Sequence, residues 1–212
     1  MDARARARSA GFGDSDSPEG ADLRLPAHAA DVRALLGALG IERFAVAGHG
    51  RGAGIAQLLA VEGGVEALVL VDAVAFDAWP SPRIEELRSR LGEVDDAFIR
   101  SWLEGFFREG MGHPERLSEA DLEEYRRPFA GPDGAERFVR IAAALDGVGL
   151  VDLEPRLAEL EIPAFVLWGR TTRSCRPSSP NAWATRCPGP RSRSCPGAAT
   201  SCSRTPPRPS PR

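Results

Sequence analysis

Apolar residues recur at helical spacing over 27–39, where Val32, Leu35, Leu36 and Leu39 fall at i, i+3, i+4 and i+7. Pro26 suits the first turn of that helix and Gly40 its stop. An unbroken apolar run, Phe44 to Ala47, follows and ends in glycines, which predicts a strand. The spacing and the Ala/Leu content of Ile55–Val61 predict a second helix, opening directly from Gly52 and Gly54. Ala67 to Val71 is a second strand of the fully buried type, closed by Asp72. From Pro82 to Leu160 the pattern turns helical. Ser118 as N-cap with Asp121 three residues on predicts a capped helix, with Leu117 and Leu122 as its hydrophobic staple. Phe138, Ile141, Ala142 and Leu145 form a further helical stripe. Ile162 to Gly169 is a third buried strand with Pro163 at its mouth. Strands alternating with helices imply parallel strands joined by crossovers. The chain therefore reads as α/β, with a helical insertion ahead of the third strand.

Chemistry concentrates at Gly48-His49-Gly50-Arg51-Gly52, between a strand and a helix. The spacing fits G-x-nucleophile-x-G, a sharp turn that lifts a nucleophile above a sheet and needs small neighbours. Here the sequence resembles the α/β-hydrolase superfamily, over roughly Ser9 to Gly169. Gly11 to Asp16 is similar to that family's loop after its fourth strand, and Leu68 to Asp72 to the strand after the nucleophile helix. Ile162 to Gly169 resembles the strand before the acid loop, and Asp77-Ala78-Trp79-Pro80 the start of the cap in dehalogenase- and epoxide-hydrolase-like members. The resemblance implies an incomplete α/β-hydrolase fold: a mostly parallel sheet in a domain over 9–169, with a helical cap insertion at about 77–160. It also implies that the family's first strands and its His-Gly oxyanion loop belong before Gly11, where ten residues stand.

Gly50 occupies the nucleophile position, where the family places Ser or Asp to form a covalent intermediate. Glycine has no side chain to do so, and both Ser and Asp codons are one base from a Gly codon. The resemblance makes the backbone N–H of Arg51 one oxyanion donor, whatever its side chain does. It also makes Asp72 a candidate acid. The family's histidine base belongs after the last strand, beyond residue 169, and the three histidines stand elsewhere. His28 is expected on a helix surface, His113 in a loop, and His49 packed behind the elbow. No catalytic triad is therefore intact.

Composition changes the picture at the C-terminus. Residues 170–212 hold nine Arg, nine Pro, eight Ser and all four Cys, but no Asp, Glu, Leu, Ile, Val or Phe. With nine of the 27 Arg there, the first 169 residues carry 18 Arg against all 30 acids, a net −12 beside a tail of +9. Such a tail buries no apolar surface and is expected to be disordered. The spacing of Cys175, Cys187, Cys195 and Cys202 matches neither paired zinc ligands nor a disulfide framework. A shifted reading frame explains the tail. Codons for Cys, Trp and most Ser begin with T, and a shift that makes T the second base always encodes an apolar residue. The shifted frame from Arg170 permits Asp-Asp-Pro-Val-Leu-Pro, similar to the family's acid loop. Over Ser194 to Cys202 it permits Leu-Pro-Gly-x-x-His, similar to its histidine loop.

These readings predict a member of that family, ancestrally a cofactor-independent small-molecule hydrolase, inactive in this form and binding no metal. The alternative is a non-catalytic binding protein whose Arg/Ser/Pro tail contacts nucleic acid, though the acidic body would repel a polyanion. No apolar run approaches the ~18 residues of a membrane helix, and the basic start lacks an apolar leader segment. The expected location is cytoplasmic, with no membrane partner.

Overall fold

The computed structural model describes residues 9–13, 15–16, 18–75, 79–169 and 198–200. Helix α1 spans Leu25–Ala38, with Pro26 in its first turn, and ends before Gly40, whose φ of +68° reverses the chain. Strand β1 (Phe44–His49) leads into α2 (Arg51–Glu62), and β2 (Val65–Val71) follows. Helices α3 (Pro82–Ser89), α4 (Asp96–Gly110), α5 (Glu119–Arg126) and α6 (Gly134–Ala143) fill the interval before α7 (Glu154–Ala158) and β3 (Ala164–Gly169). The sheet order is β1-β2-β3-β4, and the first three strands are parallel. The chain is thus an α/β fold with helices inserted between its second and third strands, as its pattern of apolar runs implied.

Local chemistry sets the helix starts. Asp95 accepts the Phe98 N–H at 2.7 Å, and Ser81 accepts that of Ile84 at 3.4 Å. Ser118 and Asp121 form the full capping box, each side chain accepting from the other's backbone N–H.

Of the 43 residues after Gly169, expected to be disordered, only Ala198–Thr200 fall within the described residues. They form a short strand, β4, antiparallel to β3.

Packing concentrates on one face of the sheet. Val46 lies beside Leu68 and Ala164, and Gly48 beside Leu70 and Val166, and α2 runs across these rows. Its inner positions are small or aliphatic: Ala53, Gly54, Ala56, Leu59 and Ala60 are buried. Small residues let the backbones close up. A Cβ on Gly48 would stand 2.3 Å from the Gly52 carbonyl oxygen, and one on Gly54 2.8 Å from Leu25. Buried Gln57 ties α2 to the end of β2, donating to the Ala53 and Val74 carbonyls at 2.9 and 2.8 Å.

Gly48→Ala forces backbone apart and is expected to cost about 3 kcal/mol or more, seen as loss of a cooperative thermal transition. A Cβ at Gly52 meets nothing within 4 Å. Gly52→Ala is expected to stay within about 0.5 kcal/mol of the parent in the same melt.

Candidate active site

The strand-to-helix turn places Gly50 at the N-cap of α2 with φ +53° and ψ −118°, a conformation that L side chains adopt only under strain. Three backbone hydrogen bonds hold it. The Gly50 N–H donates to Val71 at 3.0 Å, and the Gly50 carbonyl accepts from Ala53 and Val74 at 3.1 and 3.2 Å. A Cβ here would meet nothing within 4 Å and would point into open space. The turn therefore has the shape of a nucleophile elbow with its side chain missing. Arg51 is the first residue of α2, so its N–H has no acceptor in the preceding turn.

Asp72 follows β2, its N–H donating to the Leu167 carbonyl at 2.9 Å and its φ at +41°. One cavity of about 690 Å³ is lined by His49, Gly50, Arg51 and Asp72 together. The structure thus brings Gly50, Arg51 and Asp72, three positions singled out in the sequence, to one cavity.

The histidines depart from expectation in two places. His49 is not packed behind the elbow. Strand alternation turns it to the face opposite α2, where its side chain is 75% exposed and 3.9 Å from the Asp72 carboxylate. His28 is not a surface residue. It is 1% exposed, its ring edge-on to Phe12 at 6.1 Å, because α1 packs that side against the 11–16 loop and the elbow. Sequence reasoning placed His28 by its position early in a helix; the apolar stripe of α1 gave no sign that the loop would cover it. His113 lies in a loop, as expected, 3.1 Å from Glu115. Burial and the nearby Arg51 cation both push the His28 pKa down, while Asp31 and Asp22 oppose them weakly.

The side chain of Arg51 has a role that no motif signalled. Its guanidinium donates to the Ile141 carbonyl at 3.0 Å and to the Leu23 carbonyl, and sits 5.2 Å from the Phe12 ring. It therefore links the elbow to α6 of the insertion and to the segment before α1. Desolvation lowers its pKa to about 10, partly offset by Asp146, so it stays a cation at neutral pH.

Above Arg51 lies a second cavity, about 440 Å³, walled by Phe106, Phe107, Phe129, Phe138 and Leu145. Trp79 and Trp102 also line it, and their indole N–H groups are buried without a partner, as is the Arg51 Nε–H. Such a space favours an apolar molecule. Among the described residues no cluster of three His, Cys, Asp or Glu could hold a metal ion, and no helix is long and apolar enough to cross a membrane. The four cysteines and the acid loop read from the shifted frame lie outside the described residues, and of the histidine loop only Ala198–Thr200 lie within them.

Residues 3–199 match the sequence pattern of the alpha/beta hydrolase family. No curated protein matches the chain. Among solved structures, an alpha/beta hydrolase fold protein from Burkholderia ambifaria is 27% identical, with a TM-score of 0.65 over 75% of this chain and 60% of its own. An epoxide hydrolase solved without ligand is 26% identical, with a TM-score of 0.58 over 77% of this chain and 64% of its own. A hydrolase from Pseudomonas aeruginosa is 25% identical, with a TM-score of 0.59 over 77% of this chain and 61% of its own. The chain thus spans less than two thirds of the length of these structures.

Two outcomes follow from this geometry. Arg51→Leu strips a donor from two backbone carbonyls and is expected to cost about 2 kcal/mol, a fall in Tm of about 4–8 °C. His28 is neutral in the fold, whereas the unfolded chain takes up its proton near the ordinary value of 6.5. Stability is then unaffected above that pH and falls as the pH drops below it. Thermal melts between about pH 7.5 and 5 should show this slope, and His28→Gln should flatten it. The carboxylates held low, Asp22 at about 2 among them, act only in more acid solution.

Proposed function

Because the chain belongs to the alpha/beta hydrolase family, we propose that it derives from a cofactor-independent hydrolase of small molecules and performs no triad hydrolysis as it stands. The observation that carries this reading is Gly50: an elbow with strained backbone, an open side-chain position and a cavity above it, but no nucleophile. Covalent catalysis needs an oxygen at that position to attack the substrate carbon. It also needs a base to activate the water that releases the intermediate. Of the three histidines, His28 is sealed beneath the elbow and His113 pairs with Glu115 in a loop. His49 lines the cavity with Gly50 and lies 3.9 Å from Asp72, but it stands on the strand that leads into the elbow and not in the loop where the family's base belongs. In this reading residues 9–169 are one hydrolase domain with its cap at about 77–160, and 170–212 are a frame-shifted end that replaced the acid and base loops. Asp72 is the acid that remains.

The second cavity gives the substrate class its outline. Its walls are aromatic and aliphatic. The apolar body of a haloalkane, epoxide or ester fits such walls. Of these, the turn conformation at Gly50 suits any member of the family, so the nature of the lost nucleophile rests on experiment.

The purified chain is expected to hydrolyse p-nitrophenyl esters, haloalkanes and epoxides no faster than buffer; turnover well above that background overturns the reading. Gly50→Asp separates the two losses. Its carboxylate would displace halide from a haloalkane and form an ester on the protein. With no base to activate water, that ester should persist and appear in the intact mass as one added alkyl group, without turnover.

A further inference from the structure

Aromatic side chains are unevenly placed in this molecule. Eight of the chain's fourteen line the cavity of about 440 Å³ beneath the helical insertion. They brace one another: Trp102 stacks on Phe106 at 5.1 Å, and Phe138 meets Trp102 and Phe129 edge-on at 5.5 and 5.0 Å. In a close-packed core such rings fill space, whereas here they surround it. An unfilled apolar volume forfeits dispersion contacts for every side chain around it. Its size falls in the range that small molecules occupy.

The space above Gly50 adjoins this cavity. Arg51, Trp79, Phe106, Phe107, Tyr125 and Leu145 line both, so a single layer of side chains parts them. Their charged groups differ. In the aromatic cavity Arg51 gives its guanidinium to the Leu23 and Ile141 carbonyls, and Glu124 pairs with Arg127 at 3.0 Å. The space above Gly50 is lined by Arg51, Arg116 and Asp72, with His49 and His113. Two cations stand there against one carboxylate, within a body of net charge −12 over residues 1–169. Asp72 lies 3.9 Å from His49, and His113 pairs with Glu115. Arg116 is exposed, and its backbone N–H donates to the His113 carbonyl. Beyond the through-space pull of neighbouring Glu115, its guanidinium has no partner among the described residues. Gly50 adds no side chain and no charge to this space.

We propose that the two cavities together bind an amphiphilic monocarboxylic acid, its apolar chain among the aromatic rings and its carboxylate above Gly50, toward Arg116. A neutral head group forgoes the arginine, and an ammonium head meets two like charges. The proposal rests on the reading of this space as an ancestral substrate site and narrows its occupant to molecules that carry an acid group. The two are decided by separate measurements, since turnover bears on the loss of hydrolysis and equilibrium binding on the acid.

Calorimetric titration of the full chain with octanoate, octan-1-ol, octylammonium and acetate tests this, at about pH 7.5, where the acids are ionised and the amine is protonated. Octanoate is expected to bind about fivefold more tightly than octan-1-ol, the worth of one partly exposed ion pair. Octylammonium should bind more weakly than either. Acetate should give no signal, because each buried methylene is worth about fourfold in affinity. Arg116→Glu should put octylammonium ahead of octanoate and leave octan-1-ol as it was, which also shows that the variant is folded. Leu145→Trp, at a position common to both cavities, should weaken octanoate and octan-1-ol alike by about tenfold or more. Octanoate that fails to bind at about 1 mM overturns the proposal. So does octanoate that binds no better than octan-1-ol, keeps its lead in Arg116→Glu, or is indifferent to Leu145→Trp.

Discussion

Everything above the sheet depends on one close contact between backbones. At the end of β1 the backbone of Gly48 lies against that of Gly52 and Ala53, where no side-chain carbon fits. This lets the chain turn from strand to helix within two residues. The turn gives α2 its line across β1 and β2, and it holds Gly50 in a left-handed conformation at the mouth of a cavity. The backbone hydrogen bonds from Gly50 to Val71, and from Val74 back to Gly50, register the turn to the end of β2. Asp72 is brought beside the empty slot by the same register.

The second organising element is a cation with no carboxylate among its hydrogen-bond partners. Arg51 gives its protons to two backbone carbonyls from distant segments and rests its plane near Phe12. Charge-assisted bonds to carbonyls offset the loss of hydration that burial imposes. Burial, and after it this cation, lowers the His28 pKa. Arg51 also joins the helical insertion to the elbow. These are structural duties, and they do not depend on the side chain at position 50.

Much of the architecture was legible along the chain, for local reasons. The capping box at Ser118 and Asp121 and the proline in the first turn of α1 are short-range chemistry that any context preserves. The apolar runs of β1, β2 and β3 could only be strands buried in a parallel sheet. The candidate site was legible in part. Gly50 and Asp72 line one cavity, and Gly52 proved free of the steric demand that Gly48 carries. The histidines were not legible. Whether His28 is covered depends on Phe12, sixteen residues upstream, and whether His49 is buried depends on which elements lie over the far face of the sheet.

The sequence by itself determined the class of fold, the place of the strand-to-helix turn and the absence of a side chain at position 50. Each is a property of spacing or of a side chain's absence, and packing cannot supply an oxygen that glycine lacks. Tertiary structure decided what the surrounding groups became. It drew Arg51 inward to two carbonyls and buried His28 against Phe12. It also gathered the aromatic side chains of the insertion around one cavity. Burial and hydrogen bonding depend on segments far apart in the chain, so no local pattern carries them.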